Sequence, residues 1–217
     1  MPNLYLIRHA QSEANVSPHI LHVKPNARIN LTDLGKIQAS ETGQFLKTKI
    51  KDLANIKMWH SPFDRTRQTA SIICASLGIE SIENLHIVER QLGLVEDMPD
   101  YGKKYPEFVN LYKLAATHES EFFTRPPLGE SPFDVCLRLE TFLNNCVYPA
   151  MLLSKKDVVV VSHGAAIKCL ESLVMNQPYE TIGRKTNPKN ASILQIEIEN
   201  ETFKNNGFIF QPSVSTE

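Results

Sequence analysis

At 217 residues, 42% hydrophobic and 22% charged, the chain has the length of one domain and enough apolar material to bury a core without metal or disulfide staples. Its 13 prolines and 9 glycines together make about 10% of the residues, which excludes collagen-like repeats and low-complexity disorder. Lysine and arginine number 23 against 24 acidic residues, a net charge of −1, so any affinity for anions must come from a local cluster and nucleic acid is not an expected partner.

Met1 runs almost directly into the apolar Leu4–Ile7, a buried strand by pattern, with no basic leader and no long apolar stretch. A cytoplasmic chain without a membrane partner is the expectation. Ser17 to Asn30 reads as a loop, and Thr32 as the cap of a helix carrying Leu34, Ile37, Phe45 and Leu46 near one face. Ile56–Trp59 is a second strand. Ser61-Pro62 then opens a helix by cap and first-turn proline, with Ala70, Ile73 and Leu77 inward and Gly78 as its stop. A third strand is predicted at Leu85–Val88. From Gly93 to Gly129 the composition changes: Pro99, Pro106, Pro126 and Pro127 stand among three tyrosines and mixed charge, as in an insertion with short helices covering one end of a sheet. Ser131-Pro132 starts another helix, with Cys136, Leu139, Leu143 and Val147 at helical spacing. Val158–Val161 is the clearest buried strand, a helix from about Ala165 to Met175 follows, and Ile193–Ile198 with Phe208–Phe210 around Asn205-Asn206-Gly207 reads as a closing hairpin or an edge strand. Cys74, Cys136, Cys146 and Cys169 show no paired spacing and read as reduced core thiols. The βαβα alternation predicts an α/β fold, three layers α/β/α around a mostly parallel sheet.

Three of these strands end alike. Leu4–Ile7 runs into Arg8-His9, Ile56–Trp59 into His60-Ser61-Pro62 and Arg65, and Val158–Val161 into Ser162-His163-Gly164. Ligands of open α/β sheets collect at the carboxyl ends of strands, where helix N-termini offer free amides to anions. Two histidines and two arginines gathered there suit a dianionic phosphoryl group, since guanidinium forks bind its oxygens and imidazole can attack or donate. A metal held by His9, His163 and Glu89 is a poor competitor, because no zinc-site spacing exists and two arginines would repel a cation. No cofactor is expected.

Leu6-Ile7-Arg8-His9-Ala10-Gln11-Ser12-Glu13-Ala14-Asn15 resembles the RHG signature of the histidine phosphatase superfamily, the phosphoglycerate mutase-like group. Leu31-Thr32-Asp33-Leu34-Gly35 with Gln38-Ala39, then Ser61-Pro62, Arg65 and Gln68-Thr69-Ala70, resemble its next two motifs. Glu89-Arg90-Gln91-Leu92-Gly93, Gly129-Glu130-Ser131 with Arg138, and Ser162-His163-Gly164 continue the family order over nearly the whole chain. The resemblance implies a single phosphoglycerate mutase-like domain over 1–217, with a small inserted cap at about 93–129. It implies His9 as nucleophile, Arg8, Arg65 and His163 around the transferred phosphoryl group, and Asn15 as an added donor. Glu89 takes the role of general acid and then base, and Gly164 and Arg90 join the substrate-binding set.

Departures from the family pattern favour one activity within it. The chain has His163-Gly164-Ala165 where the mutases carry HGN, Leu92 where they carry tyrosine, and the single Arg125 before a proline pair where they carry paired arginines. Its end, Pro212 to Glu217, looks frayed rather than built to close a site. Without these grips the alcohol should leave and water should enter, so phosphomonoester hydrolysis on a small phosphorylated metabolite is expected. Mutase-type phosphoryl transfer and a non-catalytic phospholigand-binding member are the alternatives. His19, His22, Lys24 and Arg28, with Lys103, Lys104, His118 and Arg125, are candidates for a second anion site, though solvated loop charges are the commoner case. The residues leave the substrate and the choice between monomer and homodimer open.

Overall fold

The computed structural model describes residues 2–94, 101–199 and 202–213. The strands are β1 (Asn3–Arg8), β2 (Ile56–His60), β3 (Ile82–Glu83), β4 (Asp157–Ser162), β5 (Ile193–Glu199) and β6 (Thr202–Phe210). The helices are α1 (Glu13–Val16), α2 (Asp33–Lys49), α3 (Asp64–Leu77), α4 (Tyr101–Lys104), α5 (Pro106–Glu119), α6 (Pro132–Phe142) and α7 (Gly164–Val174). The sheet order is β3-β2-β4-β1-β5-β6, parallel from β3 to β1, with β5 antiparallel to β1 and β6 antiparallel to β5. This is the expected α/β fold with a mostly parallel sheet.

The continuous apolar runs follow from burial on both faces. Leu4 and Leu6 of β1, with Val158 and Val160 of β4, pack with Leu139, Phe142, Ile167 and Leu170 from α6 and α7. Tyr5, Ile7, Val159 and Val161 point the other way, into Leu46, Ala70, Ile73 and Leu77 of α2 and α3. All four cysteines fall in or against these clusters: Cys136 and Cys169 are buried in the first, Cys146 packs beside it and Cys74 beside the second; all four thiols are free.

Several predicted details are corrected. Leu46 is buried and Phe45 packs beside it as expected, but Ile37 is exposed, and the rest of the buried face of α2 is Gly35, Gln38, Ala39, Thr42 and Gly43. A Cβ at Gly43 would lie 2.7 Å from Ser76 Oγ, so small residues are what let α2 approach α3. The third strand is Ile82–Glu83 rather than Leu85–Val88. Asn84 Oδ1 accepts from His86 N at 2.9 Å and turns Leu85–Ile87 into one 3₁₀ turn. Asn205-Asn206-Gly207 is not the hairpin turn. It lies inside β6, where Gln195 pairs with Gly207 and Ile196 with Asn205, so the intervening Asn206 bulges and Gly207 sits at φ +73°. The 17–30 loop folds into 3₁₀ turns at Pro18–His22 and Asn26–Arg28. Ser213 is tied by its N–H and hydroxyl to Glu41 at 2.9 and 2.7 Å, so the end is anchored that far; 214–217 lie outside the described residues.

The two serine-proline starts part company. Ser131 caps α6, its Oγ accepting from Asp134 N at 3.2 Å, with Pro132 at the first turn. Beyond Phe142 that helix continues in wider turns, Leu143–Val147 and Pro149–Leu153, with Tyr148 N–H bonding Leu143 O; Pro149 has no N–H to give the regular ladder. Ser61, by contrast, caps nothing: α3 begins at Asp64 with Phe63 at its cap position. The 93–129 segment is closed at its base, where Leu94 N donates to Pro127 O at 3.1 Å and Glu130 N to Gln91 O at 2.8 Å. Gly93 (φ +58°) permits that approach, since a Cβ there would lie 2.2 Å from Pro127 O. Pro99 lies outside the described residues.

Candidate active site

The carboxyl ends of β1, β4 and β2 are stitched together. His9 N donates to Ser162 O at 2.9 Å and Ser61 N to Val161 O at 3.1 Å, which brings the three strand-end motifs to one edge. Residues of the second and third motifs brace this edge. Gln38 Oε1 accepts from Gln11 N at 2.9 Å, Thr69 Oγ1 from Ala10 N at 3.1 Å, and Gln68 Oε1 from Leu31 N at 2.8 Å. Gly35 is required by contact, because a Cβ there would meet Gln11 O at 2.0 Å.

His9 is 5% exposed and His163 fully buried, their rings 5.3 Å apart edge to face. The Nδ1 of His9 lies 2.9 Å from Ala10 O, so this nitrogen carries the proton and donates, leaving the lone pair at Nε2. Arg65 Nη2 donates to His163 Nδ1 at 3.3 Å, so His163 carries its proton on Nε2 and donates to Ser61 Oγ at 2.8 Å. Both imidazoles are held well below the usual histidine pKa, by burial first and then by the Arg65 guanidinium. Arg8 adds to the effect on each. Neutral rings result.

Arg65 is itself 5% exposed, with Nη1 on Asn26 O and Oδ1 at 2.8 and 2.9 Å and its guanidinium 4.9 Å from the Phe63 ring centre. Arg8 sends Nη1 to Pro188 O at 2.8 Å, while its buried Nε has no acceptor. Around Gly164 the space is bounded by three groups. A Cβ there would stand 3.9 Å from Glu89 Oε2, 3.9 Å from Asn187 Oδ1 and 4.0 Å from Arg8 Nε. Glu89, half-buried, receives Arg90 N at 2.8 Å on Oε1 and Ala165 N, in the first turn of α7, at 3.3 Å on Oε2. Behind it, Arg138 pairs with Glu130 at 2.8 Å and donates to Glu89 O at 3.2 Å and His86 O at 2.5 Å.

Arg8, His9, Arg65, Glu89, His163 and Gly164 therefore converge. Asn15 lies at the rim, its Oδ1 accepting from Ser12 N at 3.0 Å and Asn190 Nδ2 at 3.1 Å. Arg90 lies on the far side of Glu89, its Nε on Glu130 O at 2.8 Å. Pattern reading passed over Asn26, Asn187 and Asn190, and took Ser61 for a cap. Asn187-Pro188 and Asn190 sit in the connector before β5, and Asn190 Nδ2 reaches His9 O at 3.0 Å; polar residues packed into a short turn were the only signal. Three of the loop cations named for a second anion site are already held in ion pairs. Lys24 is paired with Glu13 at 2.7 Å, Arg28 with Asp64 at 3.7 Å and Arg125 with Asp134.

Among the described residues no group of three or more His, Cys, Asp or Glu side chains is arranged to hold a metal, and no helix is long and apolar enough to cross a membrane. The chain is 26% identical over 216 residues to a probable phosphoglycerate mutase, GpmB, of Proteus mirabilis, covering 97% of this chain and 92% of that protein. It is 27% identical over 215 residues to a phosphoglycerate mutase-like protein of Arabidopsis thaliana, covering 90% and 64%. Its fold matches a mycobacterial glucosyl-3-phosphoglycerate phosphatase, at 20% identity and TM-score 0.73, over 98% of this chain and 100% of that one. It also matches a putative alpha-ribazole-5'-P phosphatase of Escherichia coli, at 18% identity and TM-score 0.76, over 100% and 99%. The family model of the histidine phosphatase superfamily (branch 1) spans residues 4–208, from β1 through both histidine motifs into β6. This chain belongs to the histidine phosphatase superfamily.

Proposed function

We propose that the chain is a metal-independent phosphomonoesterase that works through a phosphohistidine at His9. The observation that carries the reading is the Arg8 Nε, a buried donor without an acceptor among the described residues, which faces the space above Gly164 beside Glu89 and Asn187. Burying such a donor unpaired costs about 1–3 kcal/mol, which an anionic oxygen bound there restores. The buried guanidinium of Arg65, the half-buried one of Arg8 and the N-terminus of α7 add the field a phosphoryl group needs.

In the first step the Nε2 lone pair of His9 attacks phosphorus, the P–O bond to the alcohol breaks, and Glu89 gives its proton to the departing oxygen. In the second, water attacks the phosphohistidine, its proton passes to Glu89, the P–N bond breaks and inorganic phosphate leaves. His163 offers Nε2–H, with a phosphoryl oxygen replacing Ser61 Oγ as acceptor. Arg8 and Arg65 neutralise charge as it builds on the equatorial oxygens. We place the whole chain in one unit of this kind, with 93–129 as its cap, acting on a small phosphorylated metabolite in the cytoplasm.

Turnover of p-nitrophenyl phosphate with and without EDTA tests the reading. Wild type should turn over equally in both, and His9→Ala should lose at least about 10³-fold. Equal activity in wild type and His9→Ala, or activity abolished by EDTA, overturns it. The names of the sequence relatives favour a second reading, phosphoglycerate mutase transfer. It is supported instead if 3-phosphoglycerate is converted to 2-phosphoglycerate faster than either is hydrolysed.

A further inference from the structure

A second orphan lies on the other side of Glu89. Arg90 Nη2 is buried without an acceptor among the described residues. It borders a cavity of about 340 Å³ along the flank of α7, the size range that holds small ligands. Ala165, whose N–H holds Glu89, lines the inner end, and Lys168 follows one turn further along the helix. Val135 and Ile182 form apolar walls, and the stacked rings of Phe122 and Tyr179, 4.5 Å apart, form another.

We propose that this cavity is the leaving-group pocket and that it selects phosphate esters of aryl alcohols carrying a carboxylate. The proposal rests on Glu89 being the general acid. Ala165 both holds the Glu89 carboxyl and lines the cavity, so an alcohol that takes its proton from Glu89 and extends past it, away from Arg8, enters there. Arg90 and the flank of α7 are what it meets there. Tyr112, Ser120 and Tyr179 bring hydroxyls to the cavity, while Val135, Ile182 and the stacked Phe122–Tyr179 pair give an aromatic ring a surface to pack against. The acceptor that Arg90 Nη2 lacks is a carboxylate oxygen, and Lys168, which makes no ion pair among the described residues, supplies the second positive charge. Glu121 and Glu180 also border the cavity, but both are exposed and their charge is screened by water, while Arg90 and Lys168 are half-buried.

The test compares 4-carboxyphenyl phosphate with 4-carbamoylphenyl phosphate, nearly the same shape without the charge. Wild type should prefer the carboxylate by about tenfold or more in kcat/KM, the scale of one charge-assisted hydrogen bond. Lys168→Gln should bring the ratio near one, and Lys168→Arg should keep it. A ratio near one in wild type, or one unmoved by Lys168→Gln, overturns the pocket. Binding of 4-hydroxybenzoate, the released alcohol, is read separately by calorimetry and needs no turnover. It should be weakened by Lys168→Gln, and absence of binding to wild type also overturns the proposal. Failure of p-nitrophenyl phosphate turnover would strike the phosphatase reading alone and leave the calorimetric result to decide the pocket.

Discussion

His9 and His163 are kept neutral by the same burial and the same arginines, and this has a cost that can be measured. Their folded pKa values lie below the unfolded value of about 6.5, so below that pH the unfolded chain binds more protons than the folded one. Stability should be full above pH 6.5 and fall as pH drops toward 5, each histidine contributing a slope of up to about 1.4 kcal/mol per pH unit. Thermal melts across that window check it, and His9→Asn should flatten the slope. Glu89→Gln should reduce turnover of alkyl phosphates about 10²-fold or more, and of p-nitrophenyl phosphate far less, because nitrophenolate leaves without a proton. Equal losses on both esters would remove Glu89 from the acid role. At this scale the sequence was legible where a side chain follows a strand directly, since strand order alone carries Arg8, His9 and His163 to one edge. It was not legible where a partner arrives from a distant loop. Asn26 and Asn187 are met only once the chain has folded back over 39 residues to Arg65 or packed against Gly164.

Elements were read well when one local rule decided them and poorly when two competed. Ser131-Pro132 and Ser61-Pro62 are the same signal, but the hydroxyl of Ser61 is taken by His163 Nε2, and the helix after it starts later. The inward face of α2 was read correctly at Phe45 and Leu46 but not at Ile37, because a period of apolar residues was sought where much of the packing uses small and polar ones. Gly35→Ala tests that contact. Its Cβ would collide with Gln11 O, and the change should cost about 2–4 kcal/mol in urea unfolding and slow turnover by displacing the segment after His9. The bulge in β6 escaped notice for a different reason: Asn-Gly marks a turn in sequence, and only the register with β5 shows it inside a strand.

For the molecule as a whole, net charge described nothing about the site, because the buried Arg65 and half-buried Arg8 stand in a protein whose total is −1. Binding an anion should therefore stabilise the fold. Inorganic phosphate at a hundred times its Kd should raise unfolding stability by about 2.7 kcal/mol, seen as a shift in melting temperature. Arg65→Met should melt lower and lose the shift, whereas an unchanged shift would show that phosphate binds elsewhere. The α/β layering was readable because strands buried on both faces are continuous apolar runs, and the opposed clusters of α2–α3 and α6–α7 bear that out. The clasp between Gly93 and the 127–129 turn has a consequence for how such a molecule diversifies. The segment between its two ends begins and finishes at nearly one point, on backbone that also carries Glu89 and Glu130. Any stretch whose own ends meet can be exchanged there without disturbing the strand edge. New chemistry of recognition can thus be tried by swapping a single module, while the cradle beneath it is inherited intact.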